Sequence, residues 1–168
     1  MITPKESIEI DKIAAFKLPA YEDIPDDGLF LEQVTRYVQE YLQVLEGITI
    51  TSSMISNYVK KGLVDNSIRK KYYRDQIVYI FFIAVVKSVL SLEEIEILIS
   101  FRAKEYDIAL LYGYLKDEFK NALSFVFGID EEMKEAQIDY SEERYLLRNT
   151  IITAAHKIYL DTIFKLNS

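Results

Sequence analysis

The sequence has no cysteine, one histidine, three prolines and five glycines among 168 residues. Without thiols it can form no disulfide, iron–sulfur cluster or thiolate zinc site. His156 lies between Ala155 and Lys157 with no evident partner, so no triad or histidine metal site is expected. The shortage of Gly and Pro argues against a turn-rich β fold and for long helices with short connections. No long apolar run is present. The longest, IVYIFFIAVV from Ile77 to Val86, falls well short of the roughly 20 residues that span a bilayer. The opening MITPKESIEIDKIAAF has no apolar stretch of signal-peptide length. A soluble, cytoplasmic protein without a membrane partner is the expectation. Also missing are a Gly-rich phosphate loop, GxSxG and HExxH. The acid pairs Glu93-Glu94, Glu131-Glu132 and Glu142-Glu143 fit helix starts or an acidic loop better than carboxylate catalysis. Neither an enzyme nor a cofactor is expected.

Half of the residues are apolar, with 13 Tyr and 9 Phe, enough to build a core. Thr3-Pro4-Lys5-Glu6 predicts a capped short helix to about Phe16, followed by the acidic linker YEDIPDDG at 21–28. Leu31, Val34, Val38, Tyr41, Leu42 and Leu45 form one stripe, which predicts a helix over 29–45 ended by Gly47. Another helix begins at Thr51, with Met54, Ile55, Tyr58 and Val59 inward, and stops at Gly62. Asp65-Asn66-Ser67 reads as the turn of a short β-wing. A helix buried on all sides follows over about 74–89. Ser91 then opens a capping box with Glu94 and a helix to about Phe101. Stripes over 108–126 and 147–158 read most simply as an antiparallel helical pair. The first ends at Gly128. Asp130 to Asp139 forms an acidic connection, and the second helix starts at Ser141.

Charge is distributed unevenly. The chain carries a formal net charge of −7. Yet Thr51 to Arg74 contains Lys60, Lys61, Arg69, Lys70, Lys71 and Arg74 against Asp65 alone. Beside these cations lie Thr51, Ser52, Ser53, Ser56 and Asn57, short side chains that can reach phosphates or base edges. Helix, turn, helix and basic wing is the order of a winged helix-turn-helix, whose second helix enters the major groove. A basic run alone is usually a solvated face; its position after a Gly-stopped helix favours nucleic acid. Tyr58 and Tyr73 read as packing residues, and Tyr72 as a wing residue.

TSSMISNYVKKGL, KKYYRDQIVYI and SLEEIEIL together resemble the DNA-binding domain of the MerR regulators. Tyr58 stands at that family's second aromatic position, Gly62-Leu63 at its Gly-Leu, Tyr73 at its wing tyrosine, and Ser91 to Ile95 at its last helix start. Ser53 and Ser56 replace its usual Arg, and Asn57 its first aromatic. The wing lacks the usual Asn-Gly turn. More closely, residues 29–100 resemble the Firmicute family called domain of unknown function 1836, itself similar to MerR-type proteins. The resemblance implies dimerisation through C-terminal helices.

The expected architecture is all-α, a MerR-like winged helix-turn-helix with a small β-wing. Residues 1–28 would be an N-terminal helical arm and linker, 29–101 the winged domain, and 102–168 a C-terminal helical pair for dimerisation or an effector. The expected partner is double-stranded DNA, bound by a homodimer. Ser52, Ser53, Ser56 and Asn57 would lie in the groove, beside Thr51. Lys60, Lys61, Arg69, Lys70, Lys71, Tyr72 and Arg74 would hold the backbone. Tyr106, Tyr112, Tyr114, Phe119, Phe125 and Phe127 offer an effector pocket as another use of the C-terminal region. The alternative function is a protein-interaction module that kept this scaffold and lost DNA binding.

Overall fold

The computed structural model describes residues 2–101, 107–134, 136 and 142–168. Its helices are α1 (Pro4–Ala15), α2 (Leu31–Leu42), α3 (Ser52–Lys60), α4 (Arg74–Val86), α5 (Leu92–Ser100), α6 (Ile108–Val126) and α7 (Glu142–Leu166). A single 3-10 turn (Tyr21–Asp23) and two short strands, β1 (Leu29–Phe30) and β2 (Lys71–Tyr72), complete the described elements. No helix among the described residues is long and apolar enough to cross a membrane.

The centre is α4. Ile77, Val78, Ile80, Phe81, Ile83, Ala84, Val85 and Val86 are all buried. An apolar helix without a polar face can rest only where neighbours surround it. Here α2, α6 and α7 pack on it, as the run of apolar residues predicts. Phe81 meets Tyr37 and Tyr41 of α2 edge-on, at ring separations of 5.9 Å each. Among the described residues, one continuous core joins α1, α2, α4, α6 and α7.

The segment expected as an arm belongs to that core. Thr3 and Glu6 form the predicted reciprocal cap: the Thr3 N–H donates to Glu6 Oε2 at 2.7 Å, and the Glu6 N–H donates to Thr3 Oγ1 at 3.2 Å. Ile13, Phe16, Leu18 and Ile24 are buried. Phe16 packs edge-on against Phe119 of α6, and the buried Tyr112 hydroxyl donates to the Pro19 carbonyl at 2.6 Å.

Several expected boundaries move. Leu29 and Phe30 open as a strand, and α2 starts only at Leu31. The reason is tertiary: Leu29 pairs with Tyr72 and Phe30 with Lys71, antiparallel. Gly28, at φ +91°, enters this strand so closely that a Cβ would sit 2.8 Å from Lys71 Cδ. At Ser91 only half of the capping box forms, its hydroxyl accepting the Glu94 N–H at 3.1 Å. The C-terminal helices are not antiparallel. Tyr114 lies under Arg144, Glu118 beside Arg148, and Phe127 against Tyr159, so the sequence positions rise together. Ala136, beyond α6, lies beside it, and the buried Glu118 accepts the Ala136 N–H at 3.1 Å. Of the aromatics expected to line a surface, Tyr112, Tyr114, Phe119 and Phe127 are buried; Phe125 is exposed. Tyr106, Asp139 and Ser141 lie outside the described residues.

The end of α3 follows its sequence. The Gly62 N–H donates to the Val59 carbonyl at 3.0 Å and the Leu63 N–H to the Tyr58 carbonyl at 2.9 Å, with Gly62 at φ +77°. This pair of bonds satisfies carbonyls that a helix end leaves open. A Cβ at Gly62 would touch nothing within 4 Å. Gly62→Ala should therefore cost only its left-handed backbone, roughly 1 kcal/mol. Urea denaturation is expected to show a lower midpoint with an unchanged slope, and Gly62→Asn a smaller loss.

Candidate nucleic-acid interface

Helix α3 is amphipathic over its nine residues. Ile55 and Tyr58 are fully buried, while Ser53, Ser56, Asn57 and Lys60 are exposed. Those four recur at the three- and four-residue spacing that puts side chains on one helix face. The first two expected contacts do other work. Thr51 caps the helix, its hydroxyl accepting the Met54 N–H at 3.2 Å. The Ser52 hydroxyl meets Thr35 Oγ1 of α2 at 2.9 Å. Because the Thr35 hydroxyl donates to the Leu31 carbonyl, Ser52 is the donor. Ser52 thus ties α3 to α2, and Thr51 starts α3. Both position the exposed row.

The wing is a tighter hairpin than expected. Ile68 and Lys71 exchange two backbone bonds of 2.9 and 3.0 Å, with Arg69 and Lys70 alone between them. Both central residues have positive φ, 51° and 67°, the signature of a type I′ turn. That turn normally takes Asn-Gly. A side chain in the left-handed region costs roughly 1–2 kcal/mol per residue, so the two cations are held there against local preference. The expected turn at Asp65-Asn66-Ser67 is instead a stretch anchored from α4. The buried Gln76 donates through Nε2 to the Asp65 and Asn66 carbonyls, at 3.1 and 2.9 Å. Its Oε1 accepts the Tyr73 N–H at 2.8 Å, so the amide is satisfied on both sides.

The other wing residues divide between core and surface. Tyr72 is buried, with 6 % of its surface exposed, and serves packing. Lys71 is half-buried, its Nζ 5.3 Å from the centre of the Phe30 ring. Lys61 is exposed and only 4.0 Å from Glu93, an open pairing of little worth in water. Among the described residues, the Tyr58 hydroxyl has no hydrogen-bond partner, and its ring lies under Lys87; burial pushes its phenol up to about 12. Tyr73 precedes α4 and is half-buried.

Arg74 turns away from the wing. Its Nε donates to the Ile24 carbonyl at 2.9 Å and its Nη2 to the Glu22 carbonyl at 3.1 Å. Asp26 lies 3.9 Å from Nη1 and also accepts the Arg74 backbone N–H at 3.1 Å. The guanidinium stacks over Tyr21, whose hydroxyl donates to Asp75 Oδ1 at 2.7 Å. A cation in the first turn of a helix opposes the helix dipole. The acidic linker at 21–26 offsets this and is held on α4 in return. The sequence did carry a signal for this pairing: a cation at a helix start, downstream of an otherwise unexplained acidic segment.

The exposed part of the predicted set is therefore Thr51, Ser53, Ser56, Asn57, Lys60, Lys61, Arg69 and Lys70. Phe30 and Ile68, two apolar residues exposed beside the wing cations, were not anticipated. No group of three or more metal-ligating side chains occurs among the described residues. A family model described as Domain of unknown function (DUF1836) matches residues 19–115, more than half of the chain, and the protein belongs to that family. No curated protein and no solved structure matches it.

Arg74→Ala should free the linker and cost about 2 kcal/mol, the range for hydrogen bonds to a charged group. The loss should appear in urea denaturation. The Tyr21 phenol is pushed up to about 12, first by its hydrogen bond to Asp75 and then by burial. Its contribution to stability is complete below the ordinary value of 10.0 and is lost as pH rises toward about 12. Difference absorbance between wild type and Tyr21→Phe should show the late titration, and Asp75→Asn should bring it down toward the ordinary value.

Proposed function

Starting from membership of that family, we propose that the protein is a DNA-binding transcriptional regulator. It acts by occupying an operator, as a homodimer, through a MerR-like winged helix-turn-helix. The observation that carries this reading is the exposed face of α3. Four short or cationic polar side chains lie opposite Ile55 and Tyr58, and the helix has no acid in its first turn. Such a face suits a groove with phosphates on either side. From Ser52 to Lys71 the chain has five cations and one acid, so its field attracts a polyanion although the whole protein is acidic. Lys60, Lys61, Arg69 and Lys70 are exposed and would hold phosphates. Tyr145, Leu146, Leu160 and Phe164 of α7 are exposed large apolar side chains, which supports a second copy as partner.

One observation favours the other reading, a protein-interaction module. Glu93 and Asp26 of the acidic body reach Lys61 and Arg74. A pull-down that recovers one stoichiometric protein and no DNA would support that reading.

The direct test is fluorescence anisotropy against the protein's own upstream region and a scrambled duplex across a salt series. Tight binding to the first and salt-steep, weaker binding to the second are expected. Lys60→Ala and Lys70→Ala should each lower the log–log salt slope by about 0.9. No binding to either duplex at low salt would end the DNA reading.

A further inference from the structure

A cavity of about 250 Å³ opens between the start of α1 and the last turns of α7. No residue of the α3 face or of the wing lines it. Its walls are mostly apolar: Ile2 and Ile10 on the α1 side, Ile163 and Leu166 on the α7 side, and the ring pair Phe127–Tyr159, edge-on at 5.3 Å. The polar side chains in it nearly all accept. Glu6 and Glu9, three residues apart, share one face of α1. The Thr3 N–H occupies Glu6 Oε2 and Lys12 occupies Glu9 Oε1, and each bond leaves the other carboxylate oxygen. The buried Thr162 gives its proton to the Ile158 carbonyl at 2.7 Å, so its hydroxyl oxygen can only accept. Among the lining side chains only the Tyr159 hydroxyl donates at neutral pH. No Lys or Arg lines the cavity among the described residues. Lys12 is half exposed, and Lys165 is drawn to Glu46 at 2.8 Å. The field has the same sign as the carboxylates. Phe127 caps the C-terminus of α6 and Leu166 is the last residue of α7, so two negative helix ends stand at the walls.

We infer that this cavity binds a small aliphatic ammonium. Each part of such a ligand answers a feature of the walls. The ammonium has donors and no acceptor, and the carboxylates and Thr162 offer acceptors. Its charge suits the two helix ends. The hydrocarbon chain suits Ile10, Ile163 and Leu166, and the Phe127 and Tyr159 rings can face the cation. A carboxylate ligand would meet two like charges, and a neutral alkane would leave the acceptors unmatched. The volume lies just below the range of drug-sized pockets, which limits the chain to about six carbons. Because the walls come from α1 and α7, an occupant ties the first helix to the last and stabilises the fold by mass action. The site does not depend on DNA, so this inference and the DNA reading can fail separately.

The test titrates the full-length protein calorimetrically with hexylammonium, hexanol and hexanoate, without DNA. Hexylammonium should bind at one site, about tenfold more tightly than hexanol, as a hydrogen bond to a charged group is worth. Hexanoate should give no saturable heat. Hexylammonium should also raise the melting temperature as its concentration rises, and hexanoate should not. Glu6→Gln combined with Glu9→Gln keeps the helix cap, since Gln serves at that position. This variant should lose the preference for hexylammonium and keep the wild-type affinity for hexanol. Thr162→Val should weaken hexylammonium about fivefold. Ile163→Phe fills the cavity and should remove binding of both ligands, with circular dichroism checking that its helices are intact. Equal affinity for hexylammonium and hexanol, tighter binding of hexanoate, or no saturable heat from any of the three would overturn the inference. So would an unchanged preference in the double Gln variant, or wild-type affinity for hexylammonium in a folded Ile163→Phe.

Discussion

The structure depends on the requirement that α4 be surrounded. A helix apolar on every side has no stable place at a surface. The sequence must therefore supply neighbours for all of it, and α2, α6 and α7 do so. The basic hairpin and the linker before β1 are then both fixed from this one element. Gln76 in its first turn holds the carbonyls below the wing, and Arg74 beside it holds the linker that leads into β1. The wing has only a few residues of pairing, too little for independent stability. Its position is inherited from the buried helix on which it is rooted.

The division of labour within the basic stretch follows. Hydroxyls at the start of α3 cap it and tie it to α2, while those of Ser53 and Ser56 face outward. Arg74 binds the protein's own carbonyls, while Arg69 and Lys70 point from a turn that holds them away from the body. Residue type alone does not separate these roles. What separates them is whether a backbone acceptor lies within reach, and that is decided by the tertiary course of residues 21–28.

Much of this was legible in the sequence, for physical reasons that can be stated. Thr51, Gly62, Thr3 and Gly128 mark helix ends through local chemistry, and the structure has ends at each. The stripe of α2 and the inward side of α3 follow from periodicity, and the burial of α4 from an apolar run that has none. The exposed row Ser53, Ser56, Asn57 and Lys60 follows from the same count. The wing was not legible in detail. Its turn sits on Arg69-Lys70, residues that disfavour left-handed backbone, while Asp65-Asn66-Ser67 offered a better local signal. Its partner strand is more than 40 residues earlier, beyond any periodic pattern. Tyr72 was read as a surface group because a strand of two residues gives no alternation to read, and Arg74 because its carbonyl acceptors lie 50 and 52 residues earlier. The parallel course of α6 and α7 was hidden for a related reason: stripes show which face is buried, not which way the neighbour runs.

That parallel course bears on how the chain finds its fold. Helical proteins usually fold fast because most of their contacts join residues near in sequence. Here α6 and α7 run parallel and so cannot close as a simple hairpin. The C-terminal Lys165 pairs with Glu46 at 2.8 Å, and Lys120 donates to the Phe16 carbonyl at 3.2 Å. Even the two strands join distant parts of the chain. The search is therefore for remote partners, and the loop-closure entropy is lost before the contacts that reward it form. In its kinetics this helical protein should resemble a mixed α/β domain, with core and wing forming late and together.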